Sequence, residues 1–202
     1  MLLTALVFIS WDVYFTQKGF WGFSPEHLSG FRMLSLPIEE WLFFLVIPYA
    51  SVFTFDVVKA YFKGIKGRQA TQLINLVLLG FALIMVLVFR KRAYTLWTFC
   101  LMAILIIINE WFMRRPWMLW FYFSYLLVLF PFMIVDGILT GTGISGEVVW
   151  YNNSETMGIR IGTIPLEDVF YGFSMVLMNV TLYEFFQDRG LNPSGRHYIF
   201  RS

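Results

Sequence analysis

Gly30-Phe31-Arg32-Met33-Leu34-Ser35-Leu36-Pro37-Ile38-Glu39-Glu40 recurs 128 residues later, without a gap, as Gly158-Ile159-Arg160-Ile161-Gly162-Thr163-Ile164-Pro165-Leu166-Glu167-Asp168. Gly, Arg, Ser or Thr, Pro, Glu and a second acid coincide, and each block runs into an apolar stretch. The register persists downstream: Phe43 meets Tyr171, Ser51 meets Asn179 and Asp56 meets Glu184. Upstream, Asp12 with Thr16 answers Asp136 with Thr140, with four extra residues in the second loop. A coincidence this long reads as an internal repeat.

The composition says where the halves reside. Of 202 residues, 58% are hydrophobic and 14% charged, too little polar surface for a water-soluble domain of this size. A bilayer-crossing helix needs ~20 mostly apolar residues. Six candidate spans are legible, at about 2–16, 37–58, 72–89, 94–113, 117–139 and 164–186. The expected fold is therefore all-α, a polytopic transmembrane helical bundle of about six spans and two parallel repeats. A net charge of +2 is too small for a nucleic-acid footprint, so no nucleic-acid partner is expected. Cys100 stands alone in an apolar run, and His27 and His197 make no ligand pattern, so no metal is expected.

Residues 1–70 form the first half, 71–92 a linking transmembrane helix, and 93–202 the second half with its C-terminal tail. Two spans precede the acidic helix of the second half but only one, the short 2–16, precedes that of the first. The repeat thus predicts a further helix before residue 1, absent from this sequence. The linking helix returns both halves to one orientation, as in parallel-repeat membrane proteins. Both Pro-x-Glu-acid motifs then open helices on the same membrane face. Lys59, Lys63, Lys66, Arg68, Arg114, Arg115, Arg189, Arg196 and Arg201 fall on the opposite face, against Lys18, Arg32, Arg90, Lys91, Arg92 and Arg160 on the motif face. By the positive-inside rule the C-terminus is expected in the cytoplasm and the protein in the plasma membrane.

Each motif makes a good helix start, with Pro in the first turn and acids at the positive end of the dipole. That local role needs no chemistry. Ionisable groups near membrane depth are costly, however, and usually face a cavity or a partner. Asp12 and Asp136 fall at helix ends beside the motif loops, so four to six carboxyls can converge. Carboxyls crowded out of water retain at least one proton, which a general acid requires. Glu39 and Glu167 are the leading candidates, with Glu40 and Asp168 as partners and Asp12 and Asp136 in support. Ser51 lies below Glu40 and Asn179 below Asp168, each ~16 Å deeper at 1.5 Å per residue. These polar groups suit a cavity entered from one face and equally a helix–helix hydrogen bond. Arg32 and Arg160 either pair with the motif acids or anchor the loops. Glu110 and Arg114 read as an i,i+4 pair, and Asp56 and Glu184 as interfacial groups near Lys59 and Arg189. Trp21, Trp111, Trp117 and Trp120 suit the membrane interface. Trp41, Phe43, Phe44, Phe170 and Tyr171 either fill space or offer π faces to a cation.

Trp11-Asp12…Thr16…Gly19-x-Trp21-Gly22-Phe23, Leu36-Pro37-Ile38-Glu39-Glu40-Trp41-Leu42-Phe43-Phe44 and Pro48-Tyr49-Ala50 resemble the first domain of the membrane-integral lycopene cyclases of bacterial, archaeal and fungal carotenoid biosynthesis. Pro165-Leu166-Glu167-Asp168-Val169-Phe170-Tyr171 resembles the second domain, in the form where both are fused. The resemblance implies cyclisation of a linear carotene with no net redox change. A carboxylic acid protonates the terminal double bond, the next double bond closes a six-membered ring, and a base removes a proton from a carbon next to the ring cation to give a β-, ε- or γ-ionone end. It implies a lycopene-type substrate, membrane lipid around the protein, and contact with a second copy or with other carotenoid enzymes. The resemblance implies no bound dinucleotide, and no other cofactor is expected.

Two rival readings remain. A membrane prenyltransferase needs Asp-rich motifs that bind a Mg²⁺–diphosphate, and none is found. A proton-coupled transporter also uses repeated helices and intramembrane carboxyls, but here the acids sit near one face rather than in mid-span.

Overall fold

The computed structural model describes residues 1–62, 67–113 and 115–188. In chain order its elements are α1 (Leu2–Gln17), β1 (Trp21–Phe23), β2 (Arg32–Met33), β3 (Leu36–Pro37), α2 (Ile38–Tyr61), α3 (Arg68–Val88), α4 (Ala93–Ile107), α5 (Met118–Leu139), β4 (Val149–Tyr151), β5 (Arg160–Ile161), β6 (Ile164–Pro165) and α6 (Leu166–Asp188). A π-helical turn, Ile108–Phe112, extends α4. With that turn counted, α2 to α6 are each long and apolar enough to cross a membrane, and α1 is shorter. The helices occupy the six stretches read from the sequence, and the strands are short pairs confined to the connecting loops.

Burial separates the helices by position. In its most apolar window α6 is 56% buried and α3 only 17%, so α6 is the central helix and α3 a peripheral one. Leu73, Leu76, Val77, Leu83, Ile84, Leu87 and Val88 of α3 are all exposed. Such a surface suits a hydrocarbon solvent and would associate in water. Inside, Phe55, Phe99, Met102, Ile106, Met118, Phe121, Leu177 and Val180 form the main core.

The repeat is visible as backbone geometry. Arg32 pairs with Pro37 and Met33 with Leu36 in one hairpin, while Arg160 pairs with Pro165 and Ile161 with Ile164 in the other. Ile38 N–H donates to Phe31 O at 3.0 Å, and Leu166 N–H to Ile159 O at 2.9 Å. The repeated glycines Gly30 and Gly158 both have φ near +80°, at 89° and 78°. Only glycine adopts that conformation freely, which explains its place in both motifs. At the hairpin tips the halves diverge: Gly162 has φ 63°, but its counterpart Leu34 has φ 52° and is followed by Ser35 at 72°. A leucine there crowds its Cβ against the next carbonyl. Leu34→Gly should stabilise the protein by about 0.5–1 kcal/mol, net of the added freedom of the unfolded chain. Thermal unfolding in detergent measures it, and a lower Tm would refute the strain.

The two motif loops meet on one face. β1 pairs antiparallel with β4, joining Trp21 to Tyr151, Gly22 to Trp150 and Phe23 to Val149. Arg92, between α3 and α4, donates to the carbonyls of Asn153 (3.2 Å) and Ser154. At the opposite face the helix ends are fastened by ion pairs, Lys59 with Glu184 and Arg115 with Asp188 at 2.5 Å, and by Tyr183, whose hydroxyl donates to Asp56. Asp56 and Glu184 are thus held by partners there. Glu110 accepts from Asn75 Nδ2 at 2.9 Å; Arg114, Arg189 and the C-terminal basic residues lie outside the described residues.

Candidate active site

Beneath the β1–β4 ribbon lies a cavity of about 70 Å³. Asp12 enters it from the end of α1, Glu40 from the start of α2, Asp136 from the end of α5 and Asp168 from the start of α6. Asp12 and Asp136 are repeat equivalents, as are Glu40 and Asp168, so each half supplies two carboxyls to the one cavity. Trp21, Phe43, Tyr94, Phe132, Tyr151 and Tyr171 make most of the remaining wall. No lysine or arginine is among its described lining residues. Arg32 is exposed on β2. Arg160 donates to Thr163 O at 2.6 Å and Asn153 Oδ1 at 3.0 Å and lies 5.9 Å over the Tyr151 ring. It therefore anchors its loop instead of pairing with a motif acid.

Aromatic donors position the acids. Asp12 Oδ1 accepts from Trp21 Nε1 at 2.5 Å and from Thr16 Oγ1 at 3.4 Å, leaving Oδ2 buried without a partner. Asp168 Oδ1 accepts the Tyr94 hydroxyl, and the Tyr151 hydroxyl lies close to the same carboxyl. Asp136 and Asp168 are within hydrogen-bonding reach of each other. Tyr151 lies in a loop strand; burial of its hydroxyl, together with Asp168 and Asp136, holds it well above the usual phenol range, so it remains a donor. Glu40 is half-buried as a residue, but its carboxyl faces Asp12, Asp136 and Asp168 and receives no hydrogen bond among the described residues.

The first acid of each motif bonds to the loop that precedes its helix. Glu39 Oε1 accepts the backbone N–H of Ser29 at 2.8 Å, and Glu167 Oε1 accepts that of Met157 at 2.6 Å. Ser29 and Met157 are themselves repeat equivalents, so both glutamates fasten the preceding loop to the helix start. Glu167 is fully buried and also accepts from Thr95 Oγ1 at 2.5 Å, whereas Glu39 is exposed. Neither lines the cavity; the second acids, Glu40 and Asp168, do.

The family described as Lycopene cyclase matches residues 1–58 and 91–186, on either side of α3. The chain belongs to the lycopene cyclase family. It is 25% identical over 185 residues to a bifunctional lycopene cyclase/phytoene synthase of Aspergillus niger, an alignment covering 84% of this chain and 31% of that protein. The chain thus spans about a third of that relative's length. No solved structure matches it. Family and helices together make this a membrane protein.

The other residues singled out from the sequence divide into two groups. Phe43 and Tyr171 line the cavity. Trp41 donates its Nε1 to Met33 O at 3.2 Å, Phe44 packs with Ala5, Phe8 and Met175, and Phe170 packs tilted against Phe99, at 4.9 Å between centroids. Ser51 and Asn179 return their hydrogens to Ile47 O (2.8 Å) and Met175 O (3.0 Å) on their own helices, and they face different cavities. Tyr94, Tyr151 and Phe132 were not legible as site residues, and Trp21 reads from sequence only as an interfacial aromatic. Tyr94 and Asp168 are 74 residues apart, and nothing local to either marks the pair.

Proposed function

We propose that this protein forms ionone rings on a linear, lycopene-type carotene by proton-initiated cyclisation at the composite carboxyl cavity. One observation carries the reading: four carboxyls, two from each half, surround a single aromatic-walled cavity with no basic residue among its described lining. Acids crowded out of water keep at least one proton between them. Glu40, which faces three other carboxyls and receives no donor, is the proton donor in this scheme. Asp168, which already accepts the Tyr94 hydroxyl, serves as base.

The chemistry balances with one proton in and one out. The Glu40 proton adds to the terminal double bond and leaves a tertiary cation. The π electrons of the neighbouring double bond attack it, forming the ring C–C bond and moving the charge into the ring. A carboxylate then takes a ring proton, and its electron pair becomes the ring double bond. The product is an isomer of the substrate, and no electrons are exchanged. Phe43, Phe132, Trp21 and Tyr171 offer π faces to the cation, and the β1–β4 ribbon over them limits capture by water. The distribution of basic residues supports a cytoplasmic C-terminus and a cavity toward the other side of the plasma membrane.

In heavy water each ring formed should carry one solvent-derived deuterium at the carbon first protonated, read by mass spectrometry of the pigment. Cyclised product without deuterium would exclude the proton-initiated route. Tyr94→Phe should slow ring formation by roughly tenfold or more, the scale of one lost hydrogen bond to a charged group, with unchanged protein in the membrane. An unchanged rate would remove Tyr94 from the site.

A further inference from the structure

The carboxyl cavity is small for its task. Sites that enclose a small organic molecule measure ~300–1,000 Å³, and this one measures about 70 Å³. A second cavity of about 200 Å³ adjoins it between α2 and α5 and shares Phe43, Phe132, Asp136 and Leu139 with it. From there it follows Ile47, Ala50, Ser51 and Thr54 along α2, facing Leu127, Val128, Pro131 and Val135 of α5. Glu40 to Thr54 spans fourteen residues, ~21 Å of helix.

The chemistry of this groove selects its occupant. Its walls are apolar apart from Ser51, Thr54 and the shared Asp136, which sits at the cavity end. The two hydroxyls are turned back on their own helix, Ser51 to Ile47 O at 2.8 Å and Thr54 to Ala50 O at 2.9 Å. Proline at 131 has no N–H to present. Ala50, Leu127 and Val135 at its edge are exposed, which in a membrane means open to lipid. The groove therefore offers an extended hydrocarbon no competing hydrogen bond and a sideways entrance, and it ends at the acids.

We infer that the α2–α5 groove holds the linear remainder of the polyene while its end is cyclised, and that substrate enters from the bilayer through it. This rests on the cyclase reading for the identity of the hydrocarbon. The reacting end reaches the carboxyls past Phe43 and Phe132, and the rest of the chain lies against Ile47, Ala50, Leu127 and Val128.

Two measurements test it. In cells accumulating lycopene, Ala50→Trp should fill the groove and lower the ring-bearing fraction by roughly tenfold or more, since small displacements of a reacting end carry large rate penalties. Val46→Trp, exposed on the same helix but outside the groove, should behave as wild type. Independently, Ala50→Cys in a Cys100→Ala background is reconstituted in phospholipid vesicles with and without lycopene and treated with a membrane-permeant maleimide. Lycopene should slow labelling there and leave Val46→Cys unaffected. Full cyclisation by Ala50→Trp together with unprotected Ala50→Cys would overturn the groove, leaving the cyclase reading intact. A wild-type chain that leaves lycopene linear while lycopene protects Ala50→Cys would overturn the cyclase reading and leave the groove standing. Labelling that is equally slow with lipid alone and unchanged by lycopene would make the groove a lipid acyl-chain site and also overturn the inference.

Discussion

Glu40→Gln is expected to leave the linear carotene untouched while the protein still accumulates in the membrane. The change removes one acidic proton and almost no volume, so packing against Phe43 and the opposing acids is retained. General acid catalysis contributes typically 10²–10⁴-fold, and a loss in that range brings pigment conversion in cells below detection. Asp168→Asn should lose activity on a similar scale, because an amide cannot accept the ring proton, although its oxygen can still take the Tyr94 hydroxyl. Conversion by both variants at the wild-type rate would remove the second acids of the motifs from the chemistry. Loss in Asp168→Asn alone would leave the donor among Asp12 and Asp136.

The first acids should fail differently. Glu167→Ala strips the acceptor from Thr95 Oγ1 and from the Met157 N–H in a site with no solvent. Each buried group left unpaired costs about 1–3 kcal/mol, so a loss of about 2–6 kcal/mol is expected for the two. Thermal unfolding in detergent should report it as a large fall in Tm, with less protein recovered from membranes. Glu167→Gln keeps an acceptor oxygen and should recover much of that loss. The same change at exposed Glu39, which holds one loop N–H, should be mild. Glu167→Ala protein of wild-type Tm but without activity would contradict the structural role and return this residue to the chemistry.

Most of the architecture was legible in the sequence because lipid imposes simple rules. Apolar runs of spanning length have to be helices, and the 128-residue offset fixed which loops correspond. Gly30 and Gly158 mark the turns, and Pro37 and Pro165 the helix starts, for local backbone reasons. The site was legible only as a neighbourhood. Spacing put Glu39 beside Glu40 and Glu167 beside Asp168, but one residue along a helix turns a side chain by about 100°, and no loop geometry was available to say which of each pair faces inward. The Ser29–Glu39 and Met157–Glu167 bonds supply it. Tyr94 and Tyr151 come to Asp168 from a different helix and a cross-half strand pair, contacts that no periodicity encodes. Ser51 and Asn179 share a repeat position yet face different cavities, because α2 opens toward α5 at Ser51 whereas Asn179 opens on the far-side cavity with Asp56 and Tyr183.

The most direct test is to express the chain in cells that accumulate lycopene, verify membrane insertion, and separate the extracted pigments by chromatography with mass detection. A composite carboxyl cyclase predicts a ring-bearing carotene of the same mass as lycopene, absent from cells carrying Glu40→Gln. Unchanged lycopene in cells with well-inserted wild-type protein would contradict it.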